Sequence, residues 1–459
     1  MKFGGTSVEN AAAMRIALDL VRREQHRRPL VVVSAIAGAT NALMESAQFA
    51  LDGKLEEAHK KLSDLLERHV VLLENLIDTR STIQQLILEM RRRFDELKNL
   101  CQGIAILGEL TNRSLDTIAS VGERLSSLIL AEAMRASKMS VELLDARKVI
   151  TTDDNFGNAT PIFEAIVENV QSLVLPRINA GTIVVTQGYI GSTAKGFTTT
   201  LGRGGSDYSA ALLGAAANAE EIQIWTDVDG VMTADPRIAP EAKKLKVISF
   251  REASELAYFG AKVLHPSTIL PAVKKNIPVV VLNSRRPQSN GTLIVSDPPK
   301  SNVAVKSVAS KRGITVINIQ STRMLMAYGF LESIFGVFGK HKTSVDLVST
   351  SEVAVSLTID NTARLEEIVS ELQKFAEVAV YEKKAIVCIV GEQMHSTVGI
   401  ADRIFRALGD INVMMISQGA SEINMSLVLD ESEVNEAVRR LHKEFFEPVP
   451  EMEIFETVA

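Results

Sequence analysis

Short runs of β-branched residues alternate with helical stretches over most of the chain. One run is Val31, Val32 and Val33, and similar runs lie at 182–186, 222–225 and 279–282. The stretches between them are rich in alanine and carry apolar residues at helical spacing. This alternation predicts an α/β fold in which a mainly parallel sheet is covered by helices. We place this first domain at residues 1–295.

A charged insertion interrupts the alternation at about 52–100. The segment carries Lys, Glu, Leu and Arg at helical spacing and has neither glycine nor proline after Gly53. It predicts a helical hairpin inserted into the α/β domain, with its charges on a solvated face.

A change in composition near residue 296 predicts a second part of the chain. The turn-rich sequence Ser-Asp-Pro-Pro-Lys at 296–300 favours a linker, which we place at 296–310. Beyond it the chain repeats itself at an offset of 70 residues. The repeat is carried by the pairs Gly329 and Gly399, Gly339 and Gly409, and Asp360 and Asp430. It predicts two α+β modules in tandem, at 311–385 and 386–459.

Composition excludes several classes of protein. The 459 residues have room for about three domains. With 46% hydrophobic and 23% charged residues, the chain is not a disordered one. A net charge of −6 argues against nucleic-acid binding. The two cysteines cannot form a disulfide framework, and no apolar run approaches the ~18 residues of a membrane span. We therefore expect a soluble, cytoplasmic protein without nucleic-acid or membrane partners.

The sequence Lys-Phe-Gly-Gly-Thr-Ser at 2–7 places two glycines between a strand and a helix start. Glycine allows close approach of a ligand, and free N–H groups at a helix start suit phosphate. Lys2 would add a point charge. Thr6 and Glu9 have capping-box spacing, which predicts that the helix begins directly after the glycines. The alternative is that the glycines serve only the turn, and no Walker A motif is present.

A second glycine-rich loop gives a stronger signal. In Leu-Gly-Arg-Gly-Gly-Ser-Asp at 201–207, three glycines surround Arg203. Its planar fork can bind a carboxylate with two hydrogen bonds. Ser206 opens the next helix, and Asp207 could pair with a lysine and hold it in place. The alternative is a tight turn whose arginine faces solvent.

Three further segments carry candidate chemistry. The sequence at 225–237 follows a strand and holds three aspartates and Arg237, at the sheet edge where α/β proteins bind ligands. It is either a ligand loop or a solvated acidic loop, and its spacing is not that of an EF-hand. Lys262 could be a second phosphate clamp, whereas we interpret His265 as structural. Glu123 could hold an ammonium group or be an ordinary helix-start charge.

Other chemistries are disfavoured by what the sequence lacks. It contains no Cys/His cluster at zinc spacing, no Gly-x-Ser-x-Gly elbow and no Gly-x-Gly-x-x-Gly fingerprint. Hydride transfer and acyl hydrolysis are therefore improbable.

Taken together, these segments resemble the aspartokinases of the amino-acid kinase superfamily. The motifs at 2–7, 122–124, 199–207, 225–228 and 259–266 occur in the family's order, and the two C-terminal modules are similar to ACT domains. The resemblance covers essentially the whole chain. The stretches at 329–332 and 344–352 are most similar to the lysine-sensitive, single-function branch.

The resemblance implies ATP-dependent phosphorylation of L-aspartate to 4-phospho-L-aspartate, the first step toward lysine, threonine and methionine. Lys2 and Lys262 would contact the transferred phosphoryl group, and Asp207 would orient Lys2. Glu123 would bind the ammonium of aspartate, and Arg203 its α-carboxylate. The same pocket would be lined by Ser34, Thr40, Tyr189 and Ser206. The nucleotide would be held by Lys2, Gly4, Gly5, Thr6, Ser7, Thr226, Asp227, Met232, Asp235, Arg237 and Lys262.

The resemblance also implies cofactors and regulation. Mg²⁺ would be carried on the phosphates of ATP, with no metal site made by the protein alone. Lysine would act as an allosteric inhibitor at a site in the first ACT-like module, formed at a homodimer interface or in a higher oligomer. That site would comprise Met324, Ala327, Phe330, Leu331, Ser344, Val345, Asp346, Ser351 and Glu352.

Three positions depart from the family pattern. Met232 stands where a tyrosine is common, and Met326 and Ala327 replace a histidine and a serine. Two other interpretations remain open. One is a kinase of the same fold that uses glutamate, acetylglutamate or a carbamate as acceptor. The other is an amino-acid sensor without catalytic activity, against which the presence of Lys2, Arg203 and Asp207 counts.

Overall fold

The computed structural model describes residues 1–260, 264, 266–299, 303–322, 328–392, 394–447 and 455–456. The chain divides into two compact units. The first comprises Met1–Gly230, Val247–Phe250 and Val263–Pro298, and the second comprises Val231–Lys246, Arg251–Lys262 and Pro299–Ala459. Within the described residues, no helix is both long enough and apolar enough to cross a membrane.

The first unit is built on an eight-stranded, mainly parallel sheet, as the alternating pattern predicts. Its strand order is β10-β12-β11-β8-β1-β2-β5-β3, and the β11–β12 pair is antiparallel. The sheet strands are β1 (Lys2–Phe3), β2 (Leu30–Val33), β3 (Val141–Leu144), β5 (Ile183–Gln187), β8 (Ile222–Thr226), β10 (Val247–Ser249), β11 (Val279–Asn283) and β12 (Thr292–Val295). A separate three-stranded sheet contains β4 (Thr151–Thr152), β6 (Ile190–Thr193) and β7 (Thr198–Thr200).

Helices accompany the sheet. They are α1 (Ala11–Arg23), α2 (Ala39–Leu51), α3 (Leu55–Glu74), α4 (Arg80–Leu107), α5 (Asn112–Ala136), α6 (Phe163–Asn169), α7 (Leu175–Asn179), α8 (Gly205–Ala216) and α10 (Leu270–Lys274). Of these, α3 and α4 pack mainly against α2, α5 and each other. The predicted helical hairpin is present as α3 and α4, and α4 runs seven residues past the predicted end at 100. The two helices bury Leu62, Leu72 and Phe94 in the same core as the sheet.

The second unit contains a six-stranded antiparallel sheet in the order β14-β15-β13-β16-β18-β17. Its strands are β13 (Ser307–Gln320), β14 (Val348–Thr350), β15 (Ala354–Ile359), β16 (Glu377–Val390), β17 (Val413–Gln418) and β18 (Asn424–Asp430). A two-stranded sheet pairs β9 (Lys244–Leu245) with β19 (Phe455–Glu456). The helices are α9 (Phe250–Tyr258), α11 (Phe330–Lys340), α12 (Leu365–Leu372), α13 (Ile400–Leu408) and α14 (Val434–Phe446).

Two segments that we placed in the first domain group instead with the second unit. They are Val231–Lys246 and Arg251–Lys262. Long-range hydrogen bonds account for this, since the amide of Val308 donates to the carbonyl of Thr233 at 2.8 Å. The Thr233 hydroxyl also lies 3.0 Å from His442 Nε2 on α14. Strand β13 moreover begins at Ser307, inside the predicted linker.

Candidate active site

Lys2 lies at the centre of the main sheet although its strand has only two residues. Its backbone pairs with Val32 on one side and Ile224 on the other. The side chain is 9% exposed, and Nζ lies 2.6 Å from Oδ1 of Asp207. Asp207 is in the first turn of α8. The ion pair fixes the position of a buried ammonium group beside a helix start.

The turn after β1 needs glycine because backbone approaches it closely. A Cβ on Gly5 would lie 2.9 Å from the carbonyl oxygen of Ala35. The capping box expected from Thr6 and Glu9 is wrong. A short 3₁₀ turn follows the glycines, and α1 begins later, where Oδ1 of Asn10 accepts a hydrogen bond from the Ala13 amide at 3.0 Å.

The side chain of the predicted nucleotide residue Ser7 is fully buried. Its hydroxyl lies 2.8 Å from the Ser284 hydroxyl and 3.2 Å from the Trp225 carbonyl oxygen. These bonds tie the turn to the ends of neighbouring strands. The contact of Ser7 with a nucleotide stays a prediction.

A cleft of about 570 Å³ opens at the carboxyl ends of β1 and β2. It brings Lys2, Gly5 and Asp207 together with the residues predicted to bind substrate, which are Ser34, Thr40, Glu123, Tyr189, Arg203 and Ser206. These six residues come from four separate segments of the first unit. The structure therefore assembles one polar pocket from the segments that the motifs single out.

Glu123 places a buried carboxylate in this cleft. The residue is 3% exposed, and its Oε2 has no hydrogen-bond partner among the described residues. Burial raises the pKa of this carboxyl group to about 8. A buried carboxyl group with an unsatisfied oxygen is suited to receive a cationic group of a ligand, which would hold it in the charged form.

Arg203 lies at the other side of the same cleft and is exposed. It makes no ion pair or hydrogen bond with any described residue, so its guanidinium is available to a ligand. The next residue, Gly204, has φ of 72° and forms the N-cap of α8. That left-handed conformation favours glycine and turns the arginine loop into the helix.

Two helix N-termini reach the cleft without a side-chain cap. Gly38 is the N-cap of α2 and Gly204 that of α8, and neither helix start is closed by a side-chain hydrogen bond. Both glycines line the cleft. N–H groups at uncapped helix starts favour anions, and Lys2 adds a full positive charge beside them. The cleft therefore has the electrostatics of a site for phosphoryl transfer.

Two residues that position the cleft were missed by the sequence analysis. Asp116 on α5 accepts hydrogen bonds from the amides of Gly157 at 2.9 Å and Thr200 at 3.0 Å, and from the Thr200 hydroxyl at 2.7 Å. Ser126 donates to the carbonyl of Ser34 at 2.6 Å. Both act over long sequence separations, so no local pattern could have identified them.

The predicted nucleotide residues are divided between the units. Thr226 ends β8 in the first unit and Asp227 follows it, and the Thr226 hydroxyl donates to Asp227 at 3.2 Å. Met232 and Asp235 lie in the second unit. Asp235 accepts hydrogen bonds from Nε of the exposed Arg237 at 3.0 Å and from its Nη2 at 2.6 Å. The hydrogen bonds that Arg237 donates to Asp235 raise the pKa of the Arg237 guanidinium.

Some predicted residues lie outside the part of the chain that the structure describes. They are Lys262, His265, Met324, Met326 and Ala327. Among the described residues, no group of three or more His, Cys, Asp or Glu side chains is arranged to hold a metal ion.

The predicted effector residues that are described lie around the start of α11 and the edge of β14. Phe330 and Leu331 open α11, and Leu331 is 40% exposed. Ser344, Val345 and Asp346 precede β14, and the exposed Ser351 and Glu352 follow it.

Comparison with known proteins identifies the family. The model of the amino acid kinase family matches residues 1–283, and an ACT domain model matches residues 387–445. The chain is 39% identical to lysine-sensitive aspartokinase 3 of Escherichia coli K12, with 97% of this chain and 98% of that protein covered. The chain belongs to the aspartokinase family.

Solved aspartokinase structures are similar along the whole chain. E. coli aspartokinase III in complex with aspartate and ADP, described as the R-state, matches with a TM-score of 0.86 at 38% identity. The same enzyme in complex with lysine and aspartate, described as the T-state, matches with a TM-score of 0.81. Each comparison covers 97% of this chain and 99% of the aspartokinase chain.

Proposed function

We propose that this aspartokinase transfers the γ-phosphoryl group of ATP to the side-chain carboxylate of L-aspartate. The observation that carries the proposal is the cleft in which a buried carboxylate with one unpartnered oxygen and a free guanidinium accompany the Lys2–Asp207 pair. A dicarboxylic amino acid has the matching charges, one ammonium and two carboxylates. The solved complexes of E. coli aspartokinase III with aspartate support the same substrate.

In this mechanism Glu123 receives the ammonium group of aspartate and Arg203 its α-carboxylate. The side-chain carboxylate then points to Lys2 and to the uncapped starts of α2 and α8. It is already ionised at neutral pH, so no general base is needed. Lys2 neutralises charge on the transferred group, and Asp207 holds Lys2 in place.

We propose that ATP binds with Mg²⁺ on its phosphates. Mg²⁺ commonly keeps several waters and binds through phosphates and one or two carboxylates, so a cage of protein ligands is not required. Thr226 and Asp227, at the end of the strand next to β1, are proposed contacts for the nucleotide. Gly4, Gly5, Thr6, Met232, Asp235, Arg237 and Lys262 remain predictions from the family resemblance.

We further propose that lysine inhibits the enzyme through the first ACT-like module and that the chain forms a homodimer through these modules. The similarity to a lysine-sensitive aspartokinase supports the effector. The boundaries 1–295, 296–310, 311–385 and 386–459 stay our proposal for the domains.

A coupled assay of ADP release with aspartate, glutamate, acetylglutamate and carbamate tests the reaction. We expect turnover with aspartate alone. Equal or faster turnover with another acceptor would favour a kinase of the same fold that is specific for that acceptor. No turnover with any acceptor would favour an amino-acid sensor without catalytic activity.

Replacing Arg203 by lysine should raise the KM for aspartate much more than the KM for ATP. Lysine keeps the charge but lacks the planar fork that binds a carboxylate at two points. Arg177→Lys is the control, because Arg177 pairs with Glu142 and does not line the cleft. Equal changes in both KM values would contradict the role of Arg203.

A further inference from the structure

Asp346, just before β14, has a buried carboxylate held by two side chains of the second unit. Its side chain is 3% exposed. The Tyr258 hydroxyl donates to Oδ1 at 2.5 Å, and Lys311 Nζ lies 3.1 Å from the same oxygen. Lys311 also lies 2.9 Å from Oδ2 of Asp360 and 4.9 Å above the Tyr258 ring. We call these four residues the Asp346 cluster.

The cluster already binds an alkylammonium group, which is that of Lys311. The side chain of free lysine ends in the same group. Asp346 Oδ2 is buried and has no hydrogen-bond partner among the described residues, so the carboxylate keeps unused acceptor capacity. Two ammonium groups on one buried carboxylate would repel each other strongly, because the surroundings screen little. A ligand ammonium at Asp346 is therefore opposed by Lys311.

Lys311 can leave Asp346 without losing all its partners. Lys311 also pairs with the carboxylate of Asp360, whose side chain is 43% exposed. The ammonium group can therefore stay paired with Asp360 in contact with water. Tyr258 holds Asp346 from the other side. Burial and the neighbouring Asp346 carboxylate raise the pKa of the Tyr258 phenol, so its hydroxyl remains protonated and donates.

We propose that Lys311 competes with the effector's ammonium group for Asp346, assisted by Tyr258, and so sets the lysine concentration that inhibits the enzyme. The proposal rests on the proposed lysine regulation. Tyr258 is the last residue of α9. Binding of the effector at Asp346 would alter turnover to the extent that the effector binds two states of the enzyme differently.

The second module supplies a matched control. Lys384 Nζ lies 3.0 Å from Oδ2 of Asp430, the residue that matches Asp360 in the repeat. The strand that matches β14 is β17, whose sequence Val-Met-Met-Ile-Ser-Gln contains no acidic residue. The Lys384–Asp430 ion pair therefore corresponds to the Lys311–Asp360 ion pair, but no carboxylate takes the place of Asp346 on β17.

The test is lysine titration of the full-length wild type and of Lys311→Met, Tyr258→Phe and Lys384→Met. Inhibition is expressed relative to each variant's own uninhibited turnover. Lys311→Met should lower the half-inhibitory lysine concentration about fivefold or more, because it removes a charged partner from Asp346. Tyr258→Phe should lower it less, and Lys384→Met should leave it unchanged.

An unchanged or raised half-inhibitory concentration in Lys311→Met would overturn the proposal. A merely structural role would lower the melting temperature without sensitising the enzyme to lysine. If Lys311→Met does not fold, as judged by circular dichroism, Lys311→Gln makes the same test. If active wild type does not respond to millimolar lysine, the regulatory proposal itself fails, and this inference fails with it.

Discussion

Replacing Lys2 with methionine is expected to lower kcat about 100- to 1,000-fold, the usual loss when one donor that stabilises transition-state charge is removed. Methionine keeps most of the apolar stem, so the buried position in the sheet remains filled. The variant leaves Asp207 without its cation, 16% exposed at the start of α8. The coupled assay gives kcat, and circular dichroism gives the melting temperature.

Asp207→Asn serves as the control for this prediction. It keeps the Lys2 charge but removes the ion pair that orients it, so kcat should fall by less than in Lys2→Met. A Lys2→Met enzyme with near-normal kcat would contradict the role of Lys2 in phosphoryl transfer.

Replacing Glu123 with glutamine is expected to lower kcat/KM for aspartate about 10- to 100-fold, because a hydrogen bond to a charged group commonly contributes about 1.5–3 kcal/mol. The KM for ATP should change little. Glu132→Gln is the matched control, since Glu132 lies on the same helix and pairs with Arg135 away from the cleft. Equal losses for aspartate and ATP would contradict the assignment of the ammonium site.

Because the pKa of Glu123 is raised, the wild type and Glu123→Gln should differ in how kcat/KM for aspartate depends on pH. The ionised carboxylate receives the ammonium, and in the free enzyme it is the main form only above about pH 8. In the wild type, kcat/KM for aspartate should therefore rise with pH up to about 8. Glu123→Gln should lose that rise.

The contribution of Glu123 to the free energy of unfolding should fall with rising pH, whereas kcat/KM for aspartate should rise. The pKa of Glu123 is about 8 in the fold against an ordinary value of 4.5, so the folded chain binds more protons between these values. The free energy of unfolding contributed by this group falls as pH rises from 4.5 to 8. Without aspartate, the melting temperature of Glu123→Gln should gain on that of the wild type across this range. A constant difference would mean that Glu123 titrates normally.

The sequence predicted the parts of the site that local patterns encode. Glycines flanking Arg203 and Lys2 mark turns at strand ends, and parallel strands bring such turns to one edge. Glu123 and Tyr189 came from the family resemblance, and the cleft contains them with the rest of the predicted substrate set. Glu123, which we considered as a helix-start charge, lies well inside α5.

The predicted helix start after Thr6 was wrong because the Asn10 side chain caps α1 instead. Both residues can cap a helix, and the sequence alone does not show which of them the fold uses.

Long-range contacts account for what the sequence did not predict. Asp116 is an ordinary acidic residue on a helix until β7 and the Gly157 turn pack beside it. The segment around Thr233 lies inside the first domain predicted from the sequence, yet its hydrogen bonds run to β13 and α14. Such partners become visible only once the chain is folded.

The sheet of the second unit bears on how its modules could be separated. In β13, residues Ser307–Lys311 pair with Ile386–Val390 of β16, across the proposed boundary at 385. A fragment beginning at 386 would lack this partner and expose the fully buried, apolar edge formed by Ile386–Val390. Unpaired apolar edges recruit other chains, so this fragment would tend to aggregate, whereas one beginning at 303 would keep the edge covered. The two repeats therefore share one sheet, and a cut at the point where the sequence repeat divides would break its central strand pair.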